Sequence, residues 1–182
     1  MRRLSIALAV ILAGWLTAPG APALAQKAAV DLAARKAGPI TGLPTPRFVS
    51  LKADEVNVRR GPGWDHAVAW VFHRAGLPVE VIAEFDVWRE VRDSEGATGW
   101  VAGTLLSGRR TVLVAPWEDK THTIDLHGSA SKSSPVSAKL SPGVLGDVYR
   151  CDGSWCQISA GGVSGYIGQD FVWGVYPGEK ID

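Results

Sequence analysis

The sequence predicts an all-β protein: two tandem small β-barrels behind an export signal and a Pro- and Ala-rich linker. Three observations predict it. Short β-branched and aromatic runs are separated by Gly, Pro and Asp turns at the close spacing of sandwiches and small barrels. A set of apolar anchors returns 66 to 68 positions further on. The 21 Gly and 11 Pro in 182 residues suit a turn-rich sheet better than a helical bundle.

Residues 1–25 read as a signal peptide. Arg2 and Arg3 precede the 13-residue apolar run Leu4 to Leu16, which is short for a membrane span. Pro19, Gly20 and Pro22 break the run, and Ala23-Leu24-Ala25 supplies a small-x-small cleavage pattern. No Cys follows the run, so a lipidated start is not expected. The expected mature chain starts at Gln26, has no transmembrane segment and carries 17 Lys+Arg against 18 Asp+Glu. That balance argues against nucleic-acid binding, which needs a basic footprint. Residues 26–47 read as a linker, because Pro39, Pro44 and Pro46 oppose regular structure there.

The first barrel is expected over 48–114. Phe48 to Leu51 starts it, and Glu55 to Arg59 follows with Val56 and Val58 on one face and Asn57 and Arg59 on the other. Gly61-Pro62-Gly63 reverses the chain. Strands follow at Val68 to Phe72, Leu77 to Phe85, Trp88 to Arg92 and Gly99 to Ala102, and Leu105 closes the unit. Closing the sheet removes the edges that a small open sheet would expose.

The second barrel, over 115–182, repeats the plan in worn form. Val58 matches Leu126 and Val68 matches Val136, 68 positions on. Trp88 matches Trp155 at 67, and Gly99-Trp100-Val101 matches Gly165-Tyr166-Ile167 at 66. Leu105 matches Phe171, also at 66. The Gly-Pro turn has only His127-Gly128-Ser129 opposite it. Val112 to Val114 fits either unit. Trp100, Tyr166 and Phe171 are expected inside.

Cys151 and Cys156 flank Asp152-Gly153, a strong hairpin turn signal, so they face each other across the strands. Opposed Cα atoms there lie ~4.5–5.5 Å apart, within disulfide reach. The corresponding pair in the first copy is Glu84 and Arg89, which suits a cross-strand ion pair. An exported chain favours the disulfide, and the lack of Cys-x-x-Cys disfavours a redox role.

Val56-Asn57-Val58-Arg59-Arg60-Gly61-Pro62, then Trp88, then Gly99-Trp100-Val101, resembles the bacterial SH3 domain. The likeness covers about 48–110, and the second copy carries it only through Trp155, Gly165-Tyr166-Ile167 and Phe171. It implies a five- to six-strand barrel and a binding role, commonly toward peptidoglycan or other cell-envelope partners.

The expected binding face is Arg59, Arg60, Trp64, Asp65 and Trp88. Trp64 lies in the polar loop Gly63-Trp64-Asp65-His66, where an exposed aromatic suits sugar rings or peptides. Arg59 and Arg60 could meet a carboxylate. His66, His73, His122 and His127 are scattered, and no metal or other cofactor is expected. No nucleophile grouping and no phosphate loop occur, so the chain reads as non-enzymatic. The expected function is binding of peptidoglycan or an envelope protein in the periplasm or outside the cell. The alternative is a structural adaptor whose barrels pack together, with the surplus Trp between them and no small ligand.

Overall fold

A computed structural model describes residues 30–182. The signal peptide expected over 1–25 lies outside the described residues.

The first barrel contains β3 (Arg47–Leu51), β4 (Val56–Arg59), β5 (Val68–Phe72), β6 (Pro78–Phe85), β7 (Trp88–Arg92), β8 (Thr98–Ala102) and β9 (Leu106–Ser107). The second contains β10 (Thr111–Val114), β11 (Ile124–His127), β12 (Val136–Leu140), β13 (Leu145–Asp152), β14 (Trp155–Ala160), β15 (Val163–Gly168) and β16 (Val172–Trp173). The first sheet runs β5-β4-β8-β7-β6-β3-β9 and the second β12-β11-β15-β14-β13-β10-β16. Each strand of the second sheet follows its counterpart by seven, so the topology is duplicated. Even the bulges repeat. One falls at Val58/Arg59 and at Leu126/His127, the other at Val81/Ala83 and near Val148/Arg150.

This topology corrects the barrel boundary. Residues 111–114, assigned to the first barrel as part of 48–114, lie in the second. β10 takes the place β3 has in the first, between β13 and β16. Its four residues are all buried.

Period-two alternation forms both cores. In β4, Val56 and Val58 are buried while Asn57 is exposed. They pack with Val79, Val81, Val91 and Val101. In the second barrel Leu126, Ile158, Ile167 and Val172 are the counterparts. Fully burying a side chain of this size contributes about 1.5–3 kcal/mol.

The expectation for Trp100, Tyr166 and Phe171 is corrected. Trp100 and Tyr166 are half-buried on the outer face, and Phe171 is exposed. The inward positions belong to Gly99 and Val101, and to Gly165 and Ile167. The cause is space. β8 crosses β4 so closely that a Cβ at Gly99 would lie 2.5 Å from Val58 Cγ1, and one at Gly165 would lie 2.7 Å from the His127 carbonyl. Gly therefore takes the inward position and the ring turns outward.

The linker reading of 26–47 is also corrected over its described part. β1 (Lys36–Ala37) pairs with β2 (Pro44–Thr45). This small hairpin docks on Glu84 of β6. The Glu84 carboxylate accepts the Ile40 and Thr41 N–H groups at 3.0 and 2.9 Å and the Thr41 hydroxyl at 2.6 Å. Proline limits the strand length, but the loop N–H groups find their acceptor 43 and 44 residues away.

The barrels pack directly on each other. The Tyr176 hydroxyl donates to Glu80 Oε1 at 2.8 Å, and Thr111 Oγ1 donates to the Gly76 carbonyl at 2.7 Å. The Trp173 indole donates to the Pro78 carbonyl at 3.3 Å. Phe48 fills the seam, 5.0 Å from the Trp173 ring centroid and 4.6 Å from that of Tyr176. Gly174, at φ 120°, sits where a Cβ would overlap the Thr111 carbonyl and crowd Pro78. A short strand β17 (Lys180–Ile181) then pairs with β13.

Candidate functional site: two matching aromatic faces

In each barrel the outer face of the first strand of the β4 type meets those of the β8 and β7 types. In the first barrel Arg59 is opposite Trp100, Trp100 is opposite Glu90, and Trp88 is opposite Ala102. Opposed residues of an antiparallel pair share a face. Arg59, Trp100, Glu90 and Trp88 therefore form one surface.

The loop after β4 folds over this surface. Trp64 is 69% exposed, and its ring meets Trp88 at 4.7 Å between centroids and 64° between planes. Arg59 fixes the loop from below. Its guanidinium donates to the His66 carbonyl at 2.7 Å and lies 5.4 Å from the Trp64 ring centroid. A cation over an indole face contributes about 0.5–1 kcal/mol where exposed.

The five expected site residues thus divide by role. Arg59, Trp64 and Trp88 come together. Trp88 is only 4% exposed, so it supports Trp64 and does not itself face solvent. Arg60 and Asp65 are exposed in the same loop. The Arg60 backbone N–H closes the loop on the Ala67 carbonyl at 3.0 Å.

The second barrel has the same arrangement with different residues. His127 is opposite Tyr166, Tyr166 is opposite Gln157, and Trp155 is opposite Gly168. His127 stands where Arg59 stands, and its ring meets Trp155 edge-on at 5.4 Å. The His127 ring also bonds the Ser134 carbonyl through Nδ1 at 3.1 Å. The loop after β11 runs Gly128-Ser129-Ala130-Ser131-Lys132-Ser133-Ser134 and contains no aromatic. Trp155 is half-buried, where Trp88 is buried, and lies between a cavity of about 480 Å³ and another of about 600 Å³. The sequence signal for this face was the 67-residue return of Trp88 as Trp155, but the worn turn drew attention away from it.

The base of the central hairpin is built differently in the two copies. In the second, Cys151 and Cys156 are cross-strand partners joined by a disulfide, with Cα atoms 4.1 Å apart. Asp152 Oδ1 accepts the Trp155 and Ser154 N–H groups, both at 2.8 Å. Those two bonds hold the Asp152 carboxyl below the usual aspartate range. In the first copy the same register pairs Glu84 with Arg89, whose Nε is 3.6 Å from Glu84 Oε1. Arg47 adds a second ion pair at 2.8 Å, and the Glu84 side chain has no solvent exposure. Burial pushes its carboxyl up, but hydrogen bonds from Thr41, Ile40 and Arg47 outweigh that and hold the pKa at about 2.

At the barrel seam, burial, reinforced by the Glu80 charge and hydrogen bond, pushes the Tyr176 hydroxyl well above its ordinary value. The phenol therefore stays protonated and donates to Glu80, whose other oxygen takes Arg92 at 2.6 Å. Among the described residues no three His, Cys, Asp or Glu side chains cluster as a metal site would require, and no helix is long and apolar enough to cross a membrane.

Comparison with known proteins finds similar chains. A Bacillus subtilis protein that carries the name Putative N-acetylmuramoyl-L-alanine amidase YrvJ is 23% identical over 128 residues. That stretch is 67% of this chain but 24% of YrvJ, so the chain spans about a quarter of its relative. Two solved structures, NlpC1 and NlpC2 from Trichomonas vaginalis, align at 14% identity with TM-scores of 0.32. The alignments cover 76% and 71% of this chain and 48% of each of those. The bacterial SH3 domain model matches residues 52–108 and again 126–174, the two barrels in turn, and more than half of the chain. With the duplicated sheet order and the Gly-in, aromatic-out motif in each unit, this places the chain in the bacterial SH3 domain family as a tandem pair.

Proposed function

We propose that the protein is a non-catalytic binding module of the cell envelope that recognises peptidoglycan through the face of Arg59, Arg60, Trp64 and Asp65, with Trp88 supporting Trp64 from beneath. The observation that carries this reading is Trp64. A 69%-exposed indole is fixed between Trp88 and Arg59 instead of being folded into the core. An exposed aromatic held rigidly loses little entropy when a sugar or peptide stacks on it. The likeness to YrvJ, whose name is that of a putative N-acetylmuramoyl-L-alanine amidase, supports the choice of ligand. The disulfide supports an oxidising compartment, hence export.

The test is co-sedimentation of the protein with purified peptidoglycan sacculi. Wild type should pellet, and Trp64→Ala should lower retention about tenfold or more while leaving the far-ultraviolet spectrum and melting curve in place. Trp64→Ala pelleting like wild type would remove Trp64 from the site.

One observation favours the second reading, a structural adaptor whose two barrels pack together and which takes no small ligand. The seam between the barrels is tight, with the buried Tyr176–Glu80 bond at its centre. The Trp173 indole bridges the seam, whereas Trp64 and Trp117 are at least half-exposed. Protein that stays in the supernatant with sacculi would turn the search toward a crosslinked protein partner.

A further inference from the structure

The two sheets end on matching edge strands, β5 in the first barrel and β12 in the second. Each pairs with one neighbour, and an unpaired edge is a template on which another strand can add. The two edges are built differently at corresponding positions. On the outer face of β12, Lys139 stands opposite Asp125 and forms an ion pair with it at 3.2 Å. Pro135, which has no N–H to offer, comes just before the strand. Lys and Pro are residues that keep an edge from pairing. The same positions of the first barrel, 68 residues earlier, hold Val71 and Ala67. Val71 stands opposite the uncharged Asn57. A bulge is common to both strands, so it does not distinguish them. β5 thus runs Val-Ala-Trp-Val-Phe with neither Lys nor Pro to guard it.

The strand is held ready. Trp70 and Phe72 pack on the core and meet edge-on at 6.0 Å between centroids. Val68 and Val71 share the outer face with Arg59 and Asn57, and Val68 is 41% exposed. Among the described residues the main-chain bonds of β5 go to β4. Opposite charges stand at its two ends. Asp65 precedes it and Arg74 follows it, both exposed and neither in an ion pair among the described residues. Arg74 reaches the Gly143 carbonyl at 3.5 Å, but no carboxylate.

We infer that β5 pairs antiparallel with β5 of a second copy about a twofold axis, so that the two first-barrel sheets continue into one. The strand's own symmetry chooses the occupant. In the register that sets Val68 opposite Val71 of the other copy, Asp65 comes level with Arg74 of the other copy. Both pairs occur twice, as an isologous contact requires. Opposed residues share a face, so the valines meet on the outer side. Parallel pairing would instead bring Asp65 to Asp65 and Arg74 to Arg74, which is repulsive. The inference does not rest on the envelope reading. Its consequence is that two Trp64 loops, each leading into its own β5, belong to one assembly.

The test is sedimentation velocity of the mature chain without ligand, from about 1 to about 500 μM. The register also sets His66 level with His73, so the buffer is at about pH 8, where an ordinary imidazole is uncharged. Wild type should pass from monomer to dimer at on the order of tens of micromolar, since one paired strand makes a small interface. Val71→Lys gives β5 the residue that β12 carries at this place. It should weaken association about tenfold or more and leave the melting curve in place. Asp65→Arg and Arg74→Asp should each weaken it about fivefold, because each sets like charges together twice. The two changes in one chain should restore it. These two positions are exposed, so the charge variants carry the test even if Val71→Lys fails to fold. Hydrogen exchange should show β5 amides gaining protection with concentration, and β12 amides unchanged. Wild type that stays monomeric overturns the inference and leaves β5 to a strand of another protein. Unchanged association in a folded Val71→Lys overturns it too, as does a double charge variant no stronger than the single ones. Because no ligand is present, failure to bind sacculi leaves the dimer standing, and a monomer leaves the Trp64 reading standing.

Discussion

Glu84 is the strongest electrostatic anchor in the first barrel, and its removal should be felt at a distance from the hairpin that bears it. Its carboxylate is shielded from solvent and accepts three hydrogen bonds from residues 40 and 41 as well as an ion pair from Arg47. These partners lower the pKa from an ordinary 4.5 to about 2. At about 1.4 kcal/mol per tenfold change in proton affinity, that drop corresponds to up to roughly 3 kcal/mol of folding stability. Because the folded pKa lies below the unfolded one, the contribution is complete above about pH 4.5 and disappears as pH falls toward 2. Glu84→Gln removes the titrating charge with little change in volume. Urea unfolding at pH 7 should show the variant less stable by roughly 2–3 kcal/mol. Between pH 4.5 and 2 wild type should lose stability more steeply than the variant, so that the two curves converge. Hydrogen exchange should also show the Ile40 and Thr41 amides deprotected in the variant at neutral pH. Curves that stay parallel across the acid range, or unchanged protection at residues 40 and 41, would refute the account of Glu84 as the acceptor that docks the N-terminal hairpin.

Other perturbations have equally definite outcomes. Replacing both Cys151 and Cys156 by Ser opens a cross-link between residues five apart, which the chain-entropy account values at about 2 kcal/mol. The same variant should broaden the Trp155 indole resonance, because the hairpin carrying it is no longer clamped; an unchanged urea midpoint would show the bridge to be idle. Tyr176→Phe deletes the phenol that bonds Glu80 at the seam and leaves a buried carboxylate oxygen one donor short, at a cost of about 1–3 kcal/mol. Thermal unfolding is the measurement, and a melting temperature equal to wild type would mean that the seam is held by Phe48 and Trp173 without that bond.

Much of this was legible in the sequence because it depends on local patterning. The 66- to 68-residue return of the anchors identified the duplication, and the Asp152-Gly153 turn fixed the Cys151–Cys156 pairing across the hairpin. The Glu84–Arg89 register followed from the same alignment. What escaped depends on contacts between distant segments. The facing of Trp100 and Tyr166 was misjudged because hydrophobicity draws a large ring inward. The closeness of β8 to β4, and of β15 to β11, leaves room there only for glycine. The docking of residues 38–43 was hidden because, the Thr41 hydroxyl apart, it is made by main-chain N–H groups, which every residue but proline carries. Only the buried acceptor on β6 selects them. Trp88 looked like a site residue because its neighbours on β7 are polar, yet Trp64 covers it from a loop that strand alternation cannot place.

The two copies have diverged at matching places, and the changes are coupled by position. At the hairpin base the first copy has Glu84 and Arg89, and the second has a disulfide. A buried carboxylate needs donors, and the first barrel recruits them from the N-terminal hairpin. A disulfide needs none, so the corresponding edge in the second barrel is free to pair its main chain with β17, placing Cys151 opposite Ile181 and Asp152 opposite Lys180. That pairing brings Lys180 to the rim of the cavity beside Trp155. Meanwhile the loop after β11 has no aromatic and Trp155 is half-buried, while Trp64 lies against the buried Trp88. The outcome is one barrel offering a projecting indole and another offering a recessed one with cations at its edge. The Tyr176–Glu80 bond and the aromatic seam hold the two in a fixed relation, so a polymer reaching both faces would meet them in one register. Were one polymer to engage both faces, two modest contacts joined in this way would give an effective affinity well above either alone, whereas two barrels on a loose tether would spread the same contacts over many geometries.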